Sequence, residues 1–189
     1  MESRLLRAIH EHASPGRDVA FVFSNDLGML YFWAALVLAL MLWHLRRDER
    51  REAALWVVLG LSTYAIQEGL KILVGRPRPF LWPRLLFVDS ASFPSGHALA
   101  SATFFPLLAL DLTRGQSRTR RAWALGAAAL LSLFIGFGRL YLGVHWPSDV
   151  VGGWALGVAQ VAVAGRWLRS RAGNGRLRLR SGPVESSRA

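Results

Sequence analysis

Five runs of about twenty mostly apolar residues, joined by polar links, leave this chain of 189 residues few ways to fold. A run of ~20 apolar residues is what a helix needs to cross ~30 Å of hydrocarbon, and a helix satisfies its own backbone polar groups in lipid. The runs occupy 27–45, 53–74, about 95–112, 122–142 and about 147–167. They predict an all-α fold, a polytopic membrane helix bundle with five transmembrane helices. Ahead of them, Leu5, Leu6 and Ile9 alternate with Arg4, Arg7, His10 and Glu11, the pattern of a short amphipathic helix at the interface. Val19 to Phe23 is too short to span alone, and the count becomes six if the N-terminal segment inserts. The expected organisation is a single membrane domain over 1–169, with 1–26 interfacial, and a basic, disordered cytoplasmic tail over 170–189. Residues 1–12 lack the apolar core of a signal peptide, so no cleavage is expected.

Charge sets the orientation. A formal net charge of +11 beside 52% hydrophobic residues would suit a nucleic-acid binder only if the basic residues shared one solvated face. They fall between apolar runs instead, so no nucleic-acid partner is expected and the surrounding partner is membrane lipid. Arg46, Arg47, Arg50 and Arg51 follow the first run, Arg114, Arg118, Arg120 and Arg121 the third, and further arginines the fifth. The positive-inside rule puts these links in the cytoplasm and the opposite helix ends toward the periplasm or cell exterior. Trp43, Trp56, Trp123 and Trp167 then sit at inner ends, and Trp82 and Trp146 in outer loops. An odd count of spans places the N-terminus outside. His44 and Asp111, near inner ends, are expected to be solvated. There is no cysteine, which excludes disulfides, zinc–thiolate sites and thiol catalysis.

Three polar segments meet at the outer ends. The first runs from Lys71 to Pro79, where Gly75, Pro77 and Pro79 stop the second run. Lys71, the one lysine among 23 basic residues, lies in the last turn, and Arg78 in the loop beyond it. Both either snorkel to headgroups or bind an anion. Arg76 reads as a headgroup contact or a secondary group. Glu68, one turn before Lys71, reads as a polar contact to another helix in preference to a partner of Lys71. The second segment is Ser92-Phe93-Pro94-Ser95-Gly96-His97, entering the third run. It reads either as an ordinary capped helix start or as a phosphate seat, with free N–H groups at Gly96 and a proton donor at His97. The third is Arg139, then His145 and Asp149 at the start of the fifth run. A carboxylate four residues after a histidine can set its tautomer across the first turn, or merely cap the helix. Together these are three cations, two histidines and a helix N-terminus on one side of the membrane, where charges at depth are costly and mark function. Asp149 is the one carboxylate within the three segments, too few to hold Mg²⁺ or Ca²⁺, so no metal and no other cofactor is expected. The residue classes support phosphate-ester or diphosphate chemistry through a histidine. The apolar stretch Phe80, Leu81, Trp82, Leu85, Leu86 and Phe87 would admit a lipid tail or anchor the outer loop.

Lys71-(six residues)-Arg78-Pro79, then Pro94-Ser95-Gly96-His97, then Arg139-(five residues)-His145-(three residues)-Asp149 resembles the three-part motif of the type 2 phosphatidic acid phosphatase (PAP2) superfamily. The resemblance implies a metal-free lipid phosphatase in the bacterial inner membrane with its site facing outward. It implies that His145 attacks phosphorus, that Asp149 orients it, and that His97 protonates the leaving oxygen. Lys71, Arg78, Arg139, the Ser95 hydroxyl and the Gly96 amide would then bind the phosphoryl oxygens. Gly138 stands where the family motif usually has serine, and five spans stand where family members commonly have six. The stretches 75–80 and 143–149 are similar to those of undecaprenyl-diphosphate phosphatases, which implies that substrate. Phosphatidylglycerophosphate and phosphatidate phosphatases share the motifs, and a lipid phosphotransferase would use the same residues. A transporter would want polar residues continuing toward the cytoplasm, which the third and fourth runs lack.

Overall fold

A computed structural model describes residues 1–180 apart from Arg84 and Phe87, with side chains described as far as Arg166. Among the described residues the chain is helix and loop throughout: α1 (Glu2–His10), α2 (Pro15–Asp26), α3 (Leu30–Arg46), α4 (Arg50–Val74), α5 (Gly96–Leu112), α6 (Arg118–Tyr141) and α7 (Pro147–Arg180). The stops are local chemistry. Gly75 adopts a left-handed φ of 57° at the end of α4, where its N–H bonds to the Lys71 carbonyl, and Pro77 and Pro79 prevent continuation. Ser117 caps α6, accepting from the Arg120 N–H at 3.3 Å. Gly143, at φ 65°, turns the chain out of α6, and Pro147 opens α7.

The span count departs from five. Arg50–Val74, Arg118–Tyr141 and Pro147–Arg166 are long and apolar enough to cross a membrane, and α2 with α3 makes a fourth if that pair, bent by 48°, counts as one. The shortfall lies in α3 and α5, each 17 residues, or about 26 Å at ~1.5 Å per residue. The backbone of α7 stays helical to Arg180, into the stretch expected to be a disordered tail. Extending an existing helix needs no new nucleus, and arginine, leucine and alanine favour it. Residues 181–189, the rest of that tail, and the Trp167 side chain lie outside the described residues.

The N-terminal segment forms two helices rather than one interfacial helix, and both pack on the bundle. Phe21 of α2 lies against Tyr141 of α6, with ring centroids 4.3 Å apart. His10 of α1 stacks on Trp82 at 4.0 Å. Aromatic area offered by α6 and the loop after α4 thus replaces lipid as the partner.

At the centre stands α5, whose buried residues include Ala98, Leu99, Ala100, Ser101, Ala102, Thr103 and Phe104. It can lie there because α7 presents Gly153 and Gly157, one turn apart. A Cβ on Gly153 would sit 2.6 Å from the Ser95 carbonyl oxygen, and one on Gly157 2.7 Å from that of Leu99. Small residues at this spacing let two membrane helices approach backbone to backbone. On the other flank, Trp33, Trp56, Leu59 and Phe104 form the core that ties α3 and α4 to α5.

The end carrying the arginine-rich links has its own polar knot. His44 is buried, not solvated as expected, with Nδ1 2.6 Å from Glu49 and Nε2 2.7 Å from Asp111. Two acids brought onto one imidazole by the ends of α3 and α5 shield it from water. The C-terminal end of α4, the N-terminal end of α5 and the C-terminal end of α6 meet at the opposite end.

Replacing Gly157 by valine is expected to destabilise the folded protein by about 1–3 kcal/mol through overpacking. A lower unfolding midpoint in detergent is the measurement; an unchanged midpoint would contradict the close α5–α7 contact.

Candidate active site

The helix ends bring the three polar segments around one cavity of about 820 Å³. Lys71, Arg78, Gly96, His97, Arg139 and His145 line it. From there it runs between α3 and α4, past Trp33, Val37 and Met41 on one side and Val57, Leu61 and Tyr64 on the other.

His145 sits in the loop between α6 and α7 and is almost fully buried. Its Nε2 lies 3.0 Å from Arg78 Nη1. A guanidinium only donates, so Nε2 accepts, and the ring proton belongs on Nδ1. Nδ1 faces Asp149 Oδ2 at 3.6 Å, beyond hydrogen-bond length but close enough for attraction. Burial pushes the His145 pKa well below the ordinary 6.5, against the pull of Asp149 and with help from Arg139 and Arg78. The imidazole is therefore neutral, with its lone pair on Nε2 toward the cavity. Asp149, fully buried, is held at both oxygens: Oδ2 accepts from the Trp146 N–H at 2.8 Å and Oδ1 from Arg76 Nη1 at 2.7 Å.

The cations are held by oxygens. Arg78 donates to the carbonyls of Val144 and Ser90, both at 2.7 Å, and of Ala91 at 3.2 Å. Arg139, 1% exposed, donates through Nη1 to Asn25 Oδ1 at 2.6 Å, while its buried Nε has no hydrogen-bond partner. Lys71 Nζ lies 3.0 Å from Glu68 Oε1, which also accepts from Gln67 at 2.8 Å. Glu68 thus serves Lys71 on its own helix, where a contact to another helix was expected. Along α4 the two residues are three apart and share a face.

At the α5 N-terminus, Gly96 is required for closeness. A Cβ there would sit 2.0 Å from Gln67 Oε1, so the glutamine crosses the first turn where a side chain would be. Ser95 does not line the cavity as expected of a phosphate ligand; it is fully buried, and its Oγ lies 3.5 Å from the Ala98 N–H as the helix cap. The ring of His97 rests against Gly28 in the break between α2 and α3, where a Cβ would lie 1.9 Å from its Cδ2. His97 Nε2 donates to the Asn25 carbonyl at 3.1 Å, so that nitrogen carries a proton.

Of the expected site residues, Lys71, Arg78, Gly96, His97, Arg139 and His145 share the cavity, and Asp149 stands behind His145. Three supporting residues were not foreseen, Asn25, Gly28 and Glu2, and Arg76, read as a headgroup contact or a secondary group, bonds to Asp149. Arg76 and Arg78 are each followed by proline, and only the spacing from Lys71 singled out Arg78; nothing along the chain pointed Arg76 at Asp149. Asn25 and Gly28 offered only ordinary turn chemistry. In the loop after α4, Leu86 and Val88 reach the cavity, Trp82 stacks on His10, and Phe80 is exposed. Phe87 lies outside the described residues. Among the described residues no three His, Cys, Asp or Glu side chains are grouped to hold a metal ion.

Residues 51–172 match the PAP2 superfamily. The chain is similar to an undecaprenyl-diphosphatase of Sulfolobus acidocaldarius, 28% identical over 72% of this chain and 63% of the relative. It is also similar to phosphatidylglycerophosphatase B of Bacillus subtilis, 35% identical over 49% of this chain and 46% of the relative. The match therefore spans less than two thirds of either relative's length. Among solved structures, the transmembrane PAP2-type phosphatidylglycerolphosphate phosphatase of Bacillus subtilis shares the fold, with a TM-score of 0.82 at 24% identity, covering 89% of this chain and 85% of that one.

The contact between Gly28 and His97 has a measurable consequence. Gly28→Ala must displace the imidazole, and misplacing a reacting group by ~1 Å costs up to about 100-fold. If His97 takes part in a reaction at this site, turnover is expected to fall at least tenfold, with the protein folded by circular dichroism. Wild-type turnover in that variant would show that His97 need not sit where this packing puts it.

Proposed function

The chain belongs to the PAP2 superfamily, and from that premise we propose that it hydrolyses a lipid phosphate or diphosphate through a phosphohistidine on His145. The observation that carries the reading is a buried His145, its Nε2 3.0 Å from Arg78, sharing one cavity with His97, Lys71, Arg78 and Arg139.

The chemistry follows from the donors and acceptors. Incoming phosphoryl oxygens draw Arg78 away from the Nε2 lone pair, so the cation that caps the resting nucleophile becomes a ligand of the transition state. The unspent Nε–H of Arg139 and the N–H groups at the start of α5 add donors. Nε2 of His145 then bonds to phosphorus as the bond from phosphorus to the lipid oxygen breaks. His97 takes up a proton as the anionic substrate binds and passes it to the leaving lipid oxygen. Asp149 stabilises the positive ring of His145 as it forms. In the second half, water attacks phosphorus and gives a proton to His97, the phosphorus–nitrogen bond breaks, and inorganic phosphate leaves. Positioning and charge neutralisation supply most of the acceleration in such a transfer. Asp149 is committed to Arg76 and Trp146, so the residues favour catalysis without a metal.

The apolar continuation of the cavity between α3 and α4 suits a lipid chain. Undecaprenyl diphosphate is the preferred substrate reading, supported by the similarity to the Sulfolobus acidocaldarius relative. Phosphatidylglycerophosphate is the alternative, supported by the Bacillus subtilis relative. Arginine-rich links at the other end of the bundle support a site facing the periplasm or cell exterior in an inner membrane.

Phosphate release by purified protein, measured with undecaprenyl diphosphate, phosphatidylglycerophosphate and phosphatidate in excess chelator, tests the assignment. His145→Ala is expected to lose at least about 1,000-fold in kcat while still binding lipid. Undiminished hydrolysis in that variant would refute the phosphohistidine, and strict dependence on added Mg²⁺ would refute the metal-free site.

The depressed pKa of His145 adds a pH dependence. A nucleophile must be unprotonated, so kcat/KM is expected to hold as pH falls through 6.5, the ordinary histidine value. A rate halved near that pH by protonation of His145 would contradict its burial.

A further inference from the structure

Arg76 stands outside the cavity, yet it touches the carboxylate behind the nucleophile. Its Nη1 lies 2.7 Å from Asp149 Oδ1 and 2.6 Å from Ser148 Oγ, and its Nη2 lies 2.7 Å from Glu2 Oε2. The other oxygen of Glu2 accepts from the N–H and Oγ of Ser148, at 2.9 and 2.8 Å. The guanidinium also rests 5.5 Å from the centre of the Trp146 ring. Four contacts from three elements hold one side chain. The match to the superfamily begins at residue 51, so Glu2 comes from outside it.

We propose that Arg76 is a positioning residue for the His145–Asp149 pair, and that Glu2 of α1 sets how much of its charge that pair feels. The proposal rests on His145 being the nucleophile. A carboxylate free to rotate could turn either oxygen toward His145. With Oδ1 bonded to Arg76 and Oδ2 to the Trp146 N–H, the Asp149 plane is fixed, and Oδ2 faces Nδ1. Arg76 also opposes protonation of His145 by its charge and by drawing on the Asp149 carboxylate. Glu2 offsets that charge. Burial alone would raise the Glu2 carboxyl, but the bonds from Ser148 and Arg76 outweigh it and keep the group below its ordinary range, so it is ionised at neutral pH. An N-terminal carboxylate is thereby linked to the basicity of a nucleophile from which it is screened by one guanidinium.

Other charges face the pair: Arg78 from the loop after α4, Arg139 from α6 and His97 from α5. None changes in the variants below, so the two substitutions should move the acid limb of kcat against pH in opposite directions. Arg76→Gln removes a cation, which favours protonated His145 and raises the limb by about half to one pH unit. Glu2→Gln leaves Arg76 unopposed and lowers it by less. Because Arg76 does not line the cavity, its loss is expected to cut kcat about tenfold or more with KM within about twofold, and Arg76→Lys to recover part of kcat.

The experiment compares pH profiles of wild type, Arg76→Gln, Arg76→Lys, Glu2→Gln and His145→Ala in detergent. The probe is undecaprenyl diphosphate, or phosphatidylglycerophosphate if that is turned over faster. Opposite displacements of the acid limb support the proposal. Limbs that coincide with wild type, or a KM raised as much as kcat falls in Arg76→Gln, overturn it and make Arg76 a structural or phosphate-binding residue. Should Arg76→Gln not fold, Glu2→Gln decides alone, since its carboxylate lies nearer the surface. An inactive His145→Ala beside unmoved limbs refutes the coupling only, whereas an active His145→Ala refutes the reading of the site itself.

Discussion

Cations crowded at the end of an apolar bundle repel one another and lose hydration, and each must find oxygen to stay there. Arg78 takes three main-chain carbonyls, Arg139 takes the Asn25 amide oxygen, Lys71 takes Glu68, and Arg76 takes Asp149, Ser148 and Glu2. These bonds come from α1, α2, α4, α7 and two loops, so the oxygens that hold the cations draw most of this end of the bundle together. What results is an array of donors held in place before any anion arrives. On the proposed reading, such preorganisation would serve electrostatic catalysis, with Arg78 the one cation that must shift from the imidazole to the substrate.

The bundle below the site is arranged to keep that array still. Glycines on α7 let α5 approach backbone to backbone, and Gly136 on α6 leaves room for the Trp154 indole of α7. Midway along, Gln160 of α7 accepts from Ser62 of α4 at 2.9 Å and lies 3.4 Å from Thr103 of α5. Polar links of this kind hold helices where lipid offers no competing partner. The groove between α3 and α4 lies beside this frame, so an apolar chain can occupy it without disturbing the α5–α7 contact that seats His97 and Asp149.

The N-terminal helices belong to the site and not merely to its surroundings. Asn25 holds Arg139 by its side chain and His97 by its carbonyl, Gly28 makes space for the His97 ring, and Glu2 reaches Arg76. All three precede residue 51, where the superfamily match begins. Asn25 and Gly28 meet His97 where α2 bends by 48° into α3.

Much was legible in the residues alone. Apolar runs of spanning length require helices because lipid leaves the backbone no other way to satisfy its hydrogen bonds. Gly75 with two prolines, and Gly143 with Pro147, end and begin those helices at defined residues, which gathers Lys71, Arg78, His97, Arg139, His145 and Asp149 at one end. The full-length span count was not legible, because α3 and α5 stop at 17 residues and α2 bends into α3. Nor were the particular partners of Arg76 and Arg78, two residues apart and each followed by proline; one reaches the Asp149 carboxylate and the other the His145 imidazole. Ser95 was assigned to phosphate by its place in a motif, yet it lies buried as a cap. Local patterning determines where a helix starts and which residues lie near its end, because those depend on neighbours in the chain. Which atom meets which depends on distances between segments far apart in sequence, and only the packed tertiary structure decides those.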